Sequence, residues 1–260
     1  MPYLTGKTIL VTRATEQSSK FTNLLQQQGA TVIEMPALTI TPPSSWVDLD
    51  RAIATISEFN WLILTSANGV NYFFERLATL GKDSRILSGI KIAVVGKKTA
   101  AVLRQQHLQP DFIPPDFVAD SLVDNFPEDL NRKKILFPRV ETGGREVLVK
   151  ELTDRGAEVI EVAAYQSKCP EKIELAAWRA LQQKQIDIVT FASSKTVKNF
   201  ERLIKSELPY SRSLESLLAD ITIASIGPQT SKTCRELFGR VDIEAQEYTL
   251  EGLTKAVVNY

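Results

Sequence analysis

The chain carries one histidine and two cysteines in 260 residues, and neither sign of charge exceeds the other. Each scarcity excludes a class of protein. His107 lies in the polar stretch Gln105-Gln106-His107-Leu108-Gln109, with no cysteine or acidic cluster at ligand spacing, so neither a metal nor a metal-held cofactor is expected. A Ser-His-Asp triad would have to recruit that one imidazole. No Gly-x-Ser-x-Gly elbow is present either, which removes the common hydrolase readings. Cys169 and Cys234 do not form a disulfide framework, and a reduced compartment, the cytoplasm, is the default. Lys plus Arg and Asp plus Glu both number 31, so no bulk basic surface exists to hold nucleic acid. The apolar run Thr8-Ile9-Leu10-Val11 is too short for a signal sequence or a membrane span.

What the chain does have is a repeat. Lys7-Thr8-Ile9-Leu10-Val11-Thr12-Arg13, a helical segment and Gly29-Ala30-Thr31-Val32-Ile33 resemble Lys134-Ile135-Leu136-Phe137-Pro138-Arg139, a helical segment and Gly156-Ala157-Glu158-Val159-Ile160. The run from Trp61 to Val70 matches that from Ile188 to Val197, and each leads into Phe-Glu-Arg-Leu, at 74–77 and 200–203. Ile92-Ala93-Val94-Val95-Gly96 matches Ile223-Ala224-Ser225-Ile226-Gly227, with Thr99 opposite Thr230. The order of parts is the same in both halves.

Each part is a short Val- and Ile-rich run, a turn of small polar residues and an amphipathic segment. That alternation predicts an α/β fold of parallel sheets covered by helices. Helices are expected over 16–28, over 144–155 and from about Leu175, with Gly29 and Gly156 at their ends at positive φ and Pro228 opening another.

In open parallel sheets ligands bind at the carboxyl ends of the strands. The residues expected there are Arg13, Thr65, Ser66, Asn68, Gly96, Thr99, Arg139, Ser193, Ser194, Lys195, Gly227 and Thr230. Nearly all offer hydroxyl, amide, guanidinium or backbone N–H donors, which suits a ligand with several carboxylates. The same residues have plainer uses. Thr65-Ser66 and Ser193-Ser194 can start helices, Gly96 and Gly227 can allow close packing, and Arg13 and Arg139 can pair with Glu16 and Glu141. Nucleotide binding is disfavoured. Gly96-Lys97-Lys98-Thr99 has Lys91 where a phosphate loop needs glycine and Lys98 where it needs Ser or Thr, and no Gly-x-Gly-x-x-Gly follows a predicted strand.

These segments together resemble the uroporphyrinogen III synthase family. The likeness rests on Val11-Thr12-Arg13, Leu64-Thr65-Ser66-Ala67-Asn68-Gly69-Val70 and Val94-Val95-Gly96-Lys97-Lys98-Thr99-Ala100 in the first half. It continues through the Phe137-Pro138-Arg139 to Gly144-Arg145-Glu146-x-Leu148 segment, Ala164-Tyr165, Phe191-Ala192-Ser193-Ser194 and Ser225-Ile226-Gly227-Pro228-Gln229-Thr230. Their order and tandem spacing carry the resemblance; no single motif does. It implies two similar βα domains, one of 1–36 plus 168–260 and the other of 40–163. Two extended crossings near 33–40 and 160–167 would form a two-strand hinge, with the active site in a cleft between the domains.

The activity implied is cofactor-free closure of hydroxymethylbilane to uroporphyrinogen III with ring D inverted. Tyr165 would donate a hydrogen bond to the departing hydroxyl. Thr65, Ser66, Thr99, Ser193, Ser194 and Thr230 would contact substrate, together with backbone N–H groups near Gly96 and Gly227. Asn68 stands where some family members have Arg, and Lys195 and Arg13 are candidates to supply the missing charge. The resemblance also implies a monomer, with hydroxymethylbilane synthase as a candidate transient partner. The rival from another class is a non-catalytic two-domain binding module for an anionic small molecule.

Overall fold

The computed structural model describes residues 2–116, 119–143, 146–209 and 213–260. The chain alternates strand and helix along most of its length. It runs β1 (Thr8–Val11), α1 (Thr15–Gln27), β2 (Thr31–Glu34), β3 (Thr39–Thr41), α2 (Val47–Ala54), β4 (Trp61–Leu64), α3 (Ala67–Thr79), β5 (Lys91–Val94), α4 (Lys97–Gln105), α5 (Ala119–Asp124) and β6 (Lys134–Val140). It continues through α6 (Glu146–Asp154), β7 (Glu158–Lys168), α7 (Leu175–Gln182), β8 (Ile188–Phe191), α8 (Ser194–Glu207), α9 (Leu214–Leu218), β9 (Thr222–Ser225), α10 (Pro228–Phe238), β10 (Ile243–Glu244) and α11 (Leu250–Val258).

Two compact units result, Met1–Thr39 with Lys168–Tyr260, and Ile40–Ser167. The first holds a sheet of order β10-β9-β8-β1-β2, and the second a sheet of order β3-β7-β6-β4-β5. All the paired strands of the first sheet run parallel, as do β7-β6-β4-β5 of the second. The expected α/β architecture of two similar parallel sheets is therefore present.

Alternation along the strands explains why both faces are covered. In β1, Leu10 packs into one apolar cluster, while Ile9 and Val11 pack into another. In β4, Leu62 and Leu64 face the cluster of α2, α3 and α4, whereas Trp61 and Ile63 face that of α5 and α6. Successive side chains of a strand point to opposite faces, so a continuous apolar run such as Trp61-Leu62-Ile63-Leu64 needs helices on both sides. Gly29 and Gly156 follow α1 and α6 at φ of +90° and +89°, and Pro228 opens α10, as the sequence predicts. The Gly144-Arg145 part of the family-like segment lies outside the described residues.

The chain leaves the first unit after Thr39 and returns at Lys168. Both passages are extended: β3 is short, and β7 runs for eleven residues.

Candidate active site

β4 ends at Leu64, and Thr65-Ser66 makes the turn into α3. Ser66 is the N-cap of α3: its extended backbone (φ −151°, ψ 151°) lets Oγ accept the Gly69 N–H at 2.9 Å. The same Oγ lies 3.0 Å from the Tyr165 hydroxyl on β7. Gly69 allows this approach. A Cβ there would come within 3.1 Å of Ser66 Oγ, 3.6 Å of the Pro138 carbonyl and 4.0 Å of Tyr165 Cε1.

A bulge aims Tyr165. The β6–β7 register shifts between Arg139 and Val140, pairing Arg139 with Ala163 but Val140 with Tyr165. Ala164 and Tyr165 are therefore adjacent in sequence yet pack in the same apolar cluster, which regular alternation does not allow. The ring stacks on Tyr72 of α3, with centroids 5.9 Å apart and planes 18° from parallel. Burial raises the Tyr165 pKa above its usual value of 10.0, opposed by the Ser66 hydrogen bond and the Arg139 charge. At neutral pH the phenol is therefore protonated. Two O–H groups share one internal contact, so whichever oxygen donates within the pair, one O–H is left to donate outward.

The other edge residues of this unit are placed as follows. Thr65 and Asn68 are half-buried beside the cap. Gly96 caps α4 at φ +93° and ψ 147°, a conformation nearly confined to glycine, with open space where a Cβ would be. Thr99, one turn on, is only 4% exposed. Arg139 pairs with Glu161 and donates to the Gly143 carbonyl at 2.6 Å. Glu141, the partner anticipated from sequence, accepts instead from the N–H and Oγ of Ser44. Glu161 lies two residues from Ala163, the β7 residue paired with Arg139, and so shares that face of the sheet, whereas Glu141 lies beyond the end of β6.

In the first unit Ser193 is the N-cap of α8, accepting the Thr196 N–H at 3.2 Å. Ser194 donates to the Gln229 carbonyl at 2.9 Å, tying the turn after β8 to the start of α10. Gly227 caps α10, Thr230 is 4% exposed, Lys195 is exposed, and Arg13 is half-buried with its pKa lowered by that burial. Thus Thr65, Ser66, Asn68, Gly96, Thr99, Arg139 and Tyr165 share one unit, and Arg13, Ser193, Ser194, Lys195, Gly227 and Thr230 share the other. Among the described residues no group of three His, Cys, Asp or Glu side chains could hold a metal ion, and His107 is exposed just past α4. No helix among them is long and apolar enough to cross a membrane.

Known proteins match this arrangement along its whole length. The family described as Uroporphyrinogen-III synthase HemD matches residues 19–255. A uroporphyrinogen-III synthase of Synechococcus elongatus is 53% identical over 254 residues, covering 98% of this chain and 95% of its own. The chain belongs to the uroporphyrinogen-III synthase family. A more distant member from Chlorobaculum parvum is 26% identical over 258 residues, with 96% and 98% covered. The fold agrees with the solved uroporphyrinogen-III synthetase of Helicobacter pylori, at a TM-score of 0.63 and 18% identity, covering 97% of this chain and 99% of that one. A mutant uroporphyrinogen III synthase from Thermus thermophilus aligns at a TM-score of 0.62 and 18% identity over 97% and 98%.

Within that family frame, sequence reasoning missed Tyr72 and Glu161. Tyr72 reads as one more apolar residue of an amphipathic helix, and only the bulge in β7 brings Tyr165 over it. Glu161 could have been found from strand pairing, since it lies opposite Phe137 in the parallel register.

Proposed function

We propose that this chain catalyses the family's reaction, closing hydroxymethylbilane to uroporphyrinogen III with loss of water, which makes it a hydro-lyase. The observation that carries the reading is the 53% identity to the Synechococcus elongatus synthase across 98% of the chain. Loss of the hydroxyl from ring A leaves an electrophilic azafulvene. Ring D attacks it through its substituted α-carbon, and the spiro intermediate fragments and recloses with ring D inverted and a proton released. No electrons are gained or lost, so the chemistry calls for no redox carrier. The protein's task is to hold one geometry, and such positioning is worth about 7–11 kcal/mol in favourable cases.

Tyr165 and Ser66 supply the outward O–H that hydrogen-bonds the departing hydroxyl. Their support is the 3.0 Å contact together with a phenol that burial keeps protonated. The strand-tip donors of both units, with the N-termini of α3, α4, α8 and α10, take the acetate and propionate groups. Free thiols at Cys169 and Cys234 accord with work in the cytoplasm.

The test generates hydroxymethylbilane in situ, adds the protein, oxidises, and separates the porphyrin isomers. Isomer III is expected. A product of isomer I alone, the unaided ring closure, would leave a binding module in place of an enzyme.

A further inference from the structure

Tyr248 is 65% exposed and belongs to none of the four apolar clusters of the described residues. It sits in the loop after β10, at the carboxyl edge of the first unit's sheet, the edge that also carries Ser193 and Gly227. Its ring lies against Gly227: a Cβ there would come within 2.8 Å of Cδ1, 3.2 Å of Cγ and 3.3 Å of Cε1. Gly227 is extended, at φ 166°, a conformation open to any residue, so the ring and not the backbone makes a side chain unwelcome.

The loop that presents the ring is pinned at both ends. Ala245 N–H donates to the Ser225 carbonyl at 3.0 Å, and Thr249 N–H to the Glu247 carbonyl at 2.8 Å. Thr249 Oγ1 caps α11 by accepting the Gly252 N–H at 3.0 Å, and any side chain at Gly252 would collide with the Glu247 carbonyl. Ring atoms thus rest against the Gly227 backbone while most of the residue stays exposed.

We infer that Tyr248 stacks on one pyrrole ring of the linear tetrapyrrole, setting where that ring lies on the first unit. The inference rests on the proposed function for the identity of the ligand. A flat ring fixed over glycine offers an aromatic ligand an offset-stacked partner at small entropic cost, because the loop is already ordered. The start of α10 lies beside it, where unpaired backbone N–H groups favour a carboxylate attached to the same pyrrole.

The test compares wild type with Tyr248→Phe and Tyr248→Ser in two measurements: steady-state kinetics on bilane generated in situ, and binding of uroporphyrin III followed by its absorbance. Stacking predicts that Tyr248→Ser raises KM and weakens uroporphyrin binding by about tenfold, while Tyr248→Phe stays within about twofold. Both should melt near wild type, since the ring supports no core. Equal binding and KM in Tyr248→Ser overturn the inference. So does a Tyr248→Phe defect as large as that of Tyr248→Ser, which would assign the effect to the hydroxyl. A wild type that yields only isomer I, yet binds uroporphyrin more tightly than Tyr248→Ser does, sinks the proposed activity and leaves the stacking role standing. A wild type that neither binds uroporphyrin nor yields isomer III sinks both.

Discussion

Ser66 and Ser193 hold the same place in the two halves of the repeat, and each caps a helix by accepting the N–H three residues on. Their second contacts differ. Ser66 Oγ meets the Tyr165 phenol at 3.0 Å, whereas among the described residues the second contact of Ser193 Oγ is Thr196 Oγ1, at a long 3.4 Å. The cap is what a duplicated strand-turn-helix needs in either half, so its repetition says nothing about chemistry. The departure from symmetry does, because β7 and its bulge bring a phenol to one serine and not to the other. Gly96 and Gly227 diverge in the same way. The first is required by its backbone, with open space beside it, and the second by a neighbouring ring, with ordinary backbone.

The glycine pair gives the largest expected effect on stability. Gly96→Ala must hold a methyl-bearing residue at φ +93° and should cost about 2 kcal/mol. Gly227→Ala strains nothing and displaces only an exposed ring, so it should cost less than about 0.5 kcal/mol. Denaturant midpoints check both, and equal losses would erase the distinction. The serine pair comes next. Each Ser→Ala should lose a cap worth about 1 kcal/mol. Only Ser66→Ala should also lower the rate of isomer III formation, by about tenfold for a lost hydrogen bond to the pair. Should Ser193→Ala be equally slow at saturating substrate, the asymmetry drawn here is wrong. Tyr165→Phe isolates the other partner. It keeps the ring stacked on Tyr72 and should melt within about 1 kcal/mol of wild type while turning over about tenfold more slowly.

Much of this was legible in the sequence because it is local. Val- and Ile-rich runs, Gly29, Gly156 and Pro228 carry their own conformational preferences, so the α/β architecture and most helix starts follow from short windows. The places of the strand-to-helix turns were legible for the same reason, since the turn after a parallel strand is marked by small polar residues. What stayed hidden depends on register. The bulge between Arg139 and Val140, the Tyr72 stack under Tyr165, the exchange of Glu141 for Glu161 beside Arg139, and Tyr248 over Gly227 join segments whose pairing no single window specifies. Burial was hidden too. Thr99 and Thr230 are expected among the donors at the strand ends, but in the first turns of α4 and α10 both are covered.

The smallest expected effect contrasts two buried acids, one in each unit. Burial pushes the Cys234 thiol from 9.0 up to about 12, and it raises the Tyr165 phenol as well. In both cases the folded chain prefers the neutral form. The stability each contributes is therefore complete below the unfolded pKa and is lost as pH rises through the folded one. The thiol acts first, because an unfolded cysteine ionises before an unfolded tyrosine. Between pH 8 and pH 9.5 wild type should lose less than about 1 kcal/mol through Cys234. Cys234→Ala should start less stable, from the smaller side chain in its core, yet lose less over that interval, and Tyr165→Phe should fall as wild type does. Melting curves of the three proteins at the two pH values decide it. A steeper fall in Cys234→Ala would mean that the alkaline loss arises elsewhere, since deleting the only titrating atom at that position can remove its pH dependence but cannot add to it.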